Sequence, residues 1–222
     1  MVKFKKSKSA INDLLQVMAD LRSPQGCPWD REQDHMSLRF HAVEEVYELI
    51  DAIETGDDAE MVEELGDLLL QVVFHCQLAR ERGAFDFENV AREMTEKLLR
   101  RHPHVFGDSK AKTVDAVWAQ WDQIKKAEKQ GTHRERTSAF DGVPKHLPAL
   151  MRAEKLVKKA RKAKHVGETK KQRLSEKAVG EELYRLTEYA QSKGWSAEEL
   201  LRKEMKKRET VWRKLERAAA KK

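Results

Sequence analysis

The sequence predicts an all-α protein. Apolar residues recur at helical spacing along most of the chain. No run alternates apolar and polar residues as a half-buried strand does, and Gly, Pro and Asp punctuate the chain where helices start or stop. At 222 residues, 37% charged and 40% hydrophobic, the chain can build one large domain or two small ones around an apolar core.

Residues 10–22 place Ile11, Leu14, Leu15, Met18 and Leu21 on one face of an amphipathic first helix. Ser23 to Asp30 (S-P-Q-G-C-P-W-D) is dense in Pro and Gly and reads as a loop. A tryptophan is costly to leave exposed, so Trp29 is expected to pack on the core or to serve as a stacking surface. Two helices follow at 37–55 and 58–82, with Asp57 or Asp58 as N-cap of the second and Gly83 at its end. Asp86 can cap a helix over 87–100, which finishes K-L-L-R-R-H and is stopped by Pro103. Residues 113–129 form another helical run, with Trp118, Trp121, Lys125 and Lys126. The polar, Pro- and Gly-bearing stretch 131–148 is the candidate linker, dividing the chain into 1–130 and 149–222.

The second half repeats the first in degraded form. Gly66-Asp67-Leu68-Leu69-Leu70 is echoed by Gly180-Glu181-Glu182-Leu183-Tyr184, and Ala79-x-x-x-Gly83 by Ala190-x-x-x-Gly194. Glu93-Met94 falls on Glu204-Met205 and Lys97 on Arg208, while Leu147 to Arg161 has the look of the first helix.

Chemistry concentrates between Glu44 and Asp67. Glu44, Glu45 and Glu48 share a stripe of one helix, and Glu64 and Asp67, three apart, sit on the next. The turn Thr55-Gly56-Asp57 makes the two runs antiparallel neighbours, so five carboxylates can face one another. Like charges at helical spacing destabilise by a few tenths of a kcal/mol per pair. A donor set of oxygens alone suits a hard cation, Mg²⁺ or Mn²⁺. The interleaved residues are apolar on more than one side: Phe40, Val43, Val46, Tyr47, Leu49, Ile50 and Ile53, then Leu65, Leu68, Leu69, Leu70, Val72, Val73 and Phe74. That pattern predicts buried helices with partly buried acids. In the second copy the position of Glu64 is Ala178 and that of Asp67 is Glu181, and no E-E-x-x-E precedes Gly180. One carboxylate does not hold Mg²⁺, so the second repeat is expected to be inactive.

Charge and cysteine content bound the remaining possibilities. Residues 1–141 carry a net −7 and residues 142–222 a net +13. Such a split suggests two units with different roles, or an anionic partner for the second half. Cys27 and Cys76 lack metal-type spacing and suit a reducing compartment. Lys3, Lys5 and Lys6 precede no apolar run of signal-peptide length, and nothing approaches a membrane span, so a cytoplasmic location is expected. There is no P-loop, and with 10 glycines a phosphate cradle of backbone amides is not expected; metal, Lys and Arg must serve instead.

G-C-P-W-D, E-E-x-x-E, E-L-G-D, R-R-H-P-H-V-F and W-x-Q-I-K occur in that order, and together they resemble the MazG family of nucleoside triphosphate pyrophosphohydrolases. The resemblance is specific over about residues 10–130 and weaker through L-P-A-L-M-R-A (Leu147 to Ala153). It implies a helical-bundle MazG-like fold with a degenerate second repeat, usually dimeric. It also implies Mg²⁺-dependent cleavage of a nucleoside triphosphate to monophosphate and pyrophosphate, a nucleotide-pool housekeeping role. By resemblance Glu45, Glu48, Glu64 and Asp67 are the metal ligands, and Glu44 is a second-metal ligand or water-orienting base. Lys97, Trp121 and Lys125 are placed at the nucleotide, and Arg100 and Arg101 fit the phosphates on chemistry. This sequence departs from two-repeat members in lacking a second acidic motif. The competing expectation is a non-catalytic helical module whose basic second half binds nucleic acid or another polyanion.

Overall fold

The structure is a computed structural model that describes residues 6–132, 135–167 and 174–219. Lys3 and Lys5, the linker residues 133–134, and 168–173 ahead of the second copy's Gly180 lie outside the described residues. Among the described residues there are ten helices and no strand: the protein is all-α. It divides into two compact units, Met1–Val117 and Trp118–Lys222. No described helix is long and apolar enough to cross a membrane.

In the first unit α1 (Ala10–Leu21) starts where the Ser9 side chain accepts from the backbone N–H of Asn12. The S-P-Q-G-C-P-W-D segment is a loop only in part, because Pro28 starts a five-residue helix, α2 (Pro28–Glu32). α3 (His41–Thr55) begins four residues later than its apolar pattern predicts, since 35–40 form successive turns. Asp57 caps α4 (Asp58–Glu81), accepting from the N–H groups of Ala59 and Glu60. α5 (Phe87–Arg101) opens on a reciprocal capping box between Asp86 and Asn89. α6 (Pro103–Phe106) is a single turn after it.

α4 is the spine of this unit: α3 packs along it most extensively, and α1 and α5 also lie against it. The core joins Met18 of α1, Leu38 of the turns, and Val73, Phe74 and Leu78 of α4. It accounts for only one side of the α3–α4 hairpin. On the other, Phe40 is 61% exposed, Ile53 55% and Val62 72%, and Val43, Val46, Tyr47, Ile50 and Leu65 are exposed as well. The apolar pattern predicted helices buried all round; within one chain, nothing among the described residues covers this side.

Arg22 anchors the loop. Its guanidinium donates to both carboxylate oxygens of Glu81 at 2.7 and 2.6 Å, to the Gln33 carbonyl at 3.2 Å and to the Asp30 carbonyl. One side chain thereby fastens the end of α1, the α2 segment and the last turn of α4. Gly26 permits the close approach, because a Cβ there would lie 2.1 Å from the carbonyl oxygen of Leu21.

The second unit is built on α10 (Ala197–Ala219), against which α8 (Ala149–Lys162) and α9 (Glu176–Ser192) pack. α7 (Val114–Ala127) crosses the division between the units. Pro- and Gly-bearing though it is, the stretch before α8 carries Phe140 into the core, stacked on Trp212 at 5.4 Å beside Leu156 and Met205. Part of the basic charge here is paired. Arg152 and Arg213 pair with Glu209 at 2.7 and 2.8 Å, Arg213 also with Asp141 at 2.8 Å, and Lys162 with Asp122 at 2.7 Å.

The Arg22 contacts make a stability prediction. Arg22→Met removes a charged, largely buried fork and should lower unfolding free energy by about 2 kcal/mol at neutral pH. The hydrogen bond from Arg22 holds the Glu81 carboxyl below the usual range. Its contribution is therefore complete above the unfolded carboxylate pKa and is lost as pH falls through the lower folded value. Urea melts of both proteins should show the gap narrowing in acid; a gap that widens there rejects the pairing.

Candidate functional site

Gly56 closes α3 with φ +73°, a left-handed conformation that lets the chain reverse into α4 within two residues. The reversal brings Glu45 and Glu48 against Glu64, and one carboxylate oxygen from each lies within 4.8 Å of the others. Glu45 and Glu64 are half-buried and Glu48 is exposed. Partial loss of hydration, then the charges of Asp67 and Glu48, raise the Glu45 carboxyl above its ordinary pKa. Glu64 is raised by the same loss of hydration and then by Glu48 and Asp67. Asp67, one methylene shorter, stands outside the 4.8 Å group but close enough to act on both.

Such a cluster resists ionising in full, and a divalent cation relieves that resistance. The donors are all carboxylate oxygens, which suit a hard ion, and no Cys or His joins the group. The residues therefore fit Mg²⁺ or Mn²⁺ on donor chemistry. Glu44, on the same helix turn, is not part of this group: it is exposed and lies 3.8 Å from His41 Nδ1.

The predicted phosphate ligands divide between the units. Lys97, Arg100 and Arg101 sit on the last two turns of α5, which packs on α4. Lys97 is half-buried, and Arg100 reaches Glu96 at 3.8 Å and Glu93 at 4.0 Å. Trp121 and Lys125 belong to the second unit; the Lys125 ammonium lies 5.2 Å from the Trp121 ring, and Trp118 meets that ring edge-on at 5.5 Å. Trp29 is 54% exposed, its ring edge-on to His41 at 6.4 Å, a surface residue rather than a core one.

One feature of the hairpin escapes sequence reasoning. His35 and His75 approach Nδ1 to Nδ1 at 2.8 Å with rings stacked 15° from parallel. The spacing Glu64, Asp67, Gln71, His75 puts the second histidine on the acidic stripe, a readable signal. Its partner lies 40 residues upstream, and no local pattern pairs them.

A family model, the MazG nucleotide pyrophosphohydrolase domain, matches residues 33–106. The chain is 45% identical over 178 residues to an uncharacterized 26.1 kDa protein of Streptomyces cacaoi, covering 77% of this chain and 71% of that one. The chain belongs to the MazG family. It is also 47% identical over 150 residues to the nucleoside triphosphate pyrophosphohydrolase of Escherichia coli K12, covering 67% of this chain and 56% of that one. It is 49% identical over 148 residues to the nucleoside triphosphate pyrophosphohydrolase/pyrophosphatase MazG of Thermotoga maritima, covering 67% of this chain and 55% of that one. It thus spans about half the length of these two curated relatives. The MazG match contains all five carboxylates and Lys97, Arg100 and Arg101; Trp121 and Lys125 lie beyond it.

Glu64→Gln removes one of three crowded carboxylates without changing shape. The metal-free variant should melt at or above the wild-type temperature, because repulsion is relieved. Saturating Mg²⁺ at a hundredfold over Kd should stabilise the wild type by about 2.7 kcal/mol and the variant by much less. Equal stabilisation of both by Mg²⁺ in calorimetry rules this cluster out as the ion's site.

Proposed function

We propose that this MazG protein hydrolyses nucleoside triphosphates to nucleoside monophosphate and pyrophosphate, with Mg²⁺ as the working ion and Mn²⁺ as a substitute. The observation that carries the reading is the convergence of Glu45, Glu48 and Glu64 within 4.8 Å inside the MazG match. Glu45, Glu48, Glu64 and Asp67 would hold the ion, which would supply Lewis-acid polarisation of the phosphoryl oxygens and lower the pKa of the attacking water. Glu44, outside the cluster, orients the attacking water or takes its proton. Lys97, Arg100 and Arg101 meet the charge that develops on the departing pyrophosphate. Trp121 and Lys125 are assigned to nucleotide binding on the W-x-Q-I-K motif alone. The second repeat, with Ala178 and Glu181 at the acid positions, takes no metal of its own. The cytoplasm, where nucleotides are, is the location this activity requires.

The exposed apolar side of α3 and α4 supports a homodimer. An apolar surface of this extent on a soluble chain marks an interface, and a second copy of the same hairpin would cover it. Ile53→Asp should shift the protein from dimer to monomer in sedimentation; a wild-type monomer rejects the arrangement.

A polyanion-binding role for the basic second unit has one observation in its favour, a cleft lined by Lys125, Lys126, Lys129 and Arg136 together with Asp122 and Glu135. The ion pairs of Arg152, Arg213 and Lys162 take up only part of the basic charge.

The test is product analysis over a panel of ordinary, deoxy- and modified triphosphates. Pyrophosphate and monophosphate should appear only with divalent metal, and Glu48→Gln or Asp67→Asn should cut turnover by at least ~10²-fold. Diphosphate with orthophosphate would mean attack at the β–γ bond and reject the mechanism. Glu181→Gln should leave turnover within about twofold, since a lone carboxylate adds little to metal binding.

A further inference from the structure

The stripe that begins with the acids does not end with them. Glu64, Asp67, Gln71 and His75 follow one another three or four residues apart, so they line a single face of α4. Glu64 belongs to the carboxylate cluster and Asp67 borders it. Gln71, one turn further in, is 9% exposed and is the buried polar side chain of the described residues, yet its Oε1 has no hydrogen-bond partner in the protein. A turn beyond it lies the His35–His75 pair. The second ring nitrogen of His35, Nε2, is likewise buried and without a partner.

Each orphaned atom is costly. A buried polar group left unsatisfied loses its hydration without compensation, and two such atoms, on α4 and on the turns beside it, ask for a ligand that uses both. Their chemistry is adaptable. Because two Nδ1 atoms face each other, one imidazole must carry hydrogen there and the other must not. If His35 donates, its Nε2 is an acceptor; if His75 donates, His35 Nε2 carries the hydrogen. Gln71 likewise offers an amide oxygen and an amide NH₂ from one side chain. The eight residue steps from Asp67 to His75 advance about 12 Å along the helix, the reach of a nucleoside from its 5′ phosphate to the far edge of its base.

We infer that Gln71 and His35, the latter held by His75, form the subsite for the polar edge of the substrate's nucleobase, one to two turns inward from the carboxylate cluster. The inference rests on the nucleotide reading of that cluster. An N–H of the base would meet Gln71 Oε1, and a second polar atom of the same edge would meet His35 Nε2. The adaptability of both partners predicts that several bases are accepted rather than one. A site built to hydrogen-bond its ligand discriminates strongly once the partner is removed, because its other polar groups are then stranded.

The competing account is that ordered waters satisfy both atoms and no ligand reaches them. Equilibrium binding to the full chain with Mg²⁺ separates the two. The probes are α,β-methylene analogues of ATP and CTP, which carry a base, and inorganic tripolyphosphate, which does not. Gln71→Met, close in volume, should weaken both methylene analogues by about tenfold or more while tripolyphosphate binding stays within about twofold. His35→Asn, in the turns rather than in α4, should do the same and carries the test if Gln71→Met fails to fold. Unchanged affinity for the analogues, or equal loss for analogues and tripolyphosphate, overturns the subsite and leaves the metal site standing. A wild-type protein that binds neither probe overturns the nucleotide reading itself, and the subsite with it.

Discussion

Like charge held at close quarters is the constraint around which the first unit is arranged. Three glutamates from two helices converge within 4.8 Å, and partial burial keeps water from screening them fully. Two adjacent carboxyls raised above their ordinary range are the electrostatic signature of that crowding. The fold tolerates it because the hairpin is fixed independently of the acids. Gly56 sets the reversal, Asp57 caps α4, and Met18, Leu38, Val73, Phe74 and Leu78 form a core that holds α1 and the turns to α4. The acids are thus positioned by apolar packing that they do not contribute to, which lets them be chosen for chemistry rather than stability.

The second unit is held together differently. Without the acid pairs, its charged residues are free to match one another, and they do so in a network through Arg152, Glu209, Arg213 and Asp141. Its core is organised by aromatic stacking of Phe140 on Trp212 instead of by a tightly closed hairpin. α8 packs on α10, whereas α1 packs on α4.

Polarity in the first unit is graded along α4. At the acid end the side chains are accessible to an ion; further along, Gln71 and His75 are drawn into apolar surroundings where each unpaired atom is expensive. Arg22 closes the far end by binding Glu81 and the carbonyls of the α2 segment. The loop carrying His35 is therefore held to α4 by a charged fork and by an imidazole pair, both made by residues distant in sequence.

Much of this was legible in the sequence because it is local. Helix periodicity, the Asp57 and Asp86 caps, the Gly56 turn and the three- and four-residue spacing of the acids depend on neighbours within a turn or two. The order of motifs around them carries the family. Tertiary structure alone decided what depends on distant partners. It separated Glu44 from the cluster and left Asp67 outside the 4.8 Å group, because side-chain reach and not helical phase decides which oxygens meet. It turned a pattern that reads as burial all round into an exposed apolar side, because periodicity reports that a face is apolar but not what covers it. It drew Phe140 out of a connector-like stretch into a core, and it joined His35 to His75 across 40 residues, a pairing only chain reversal can create.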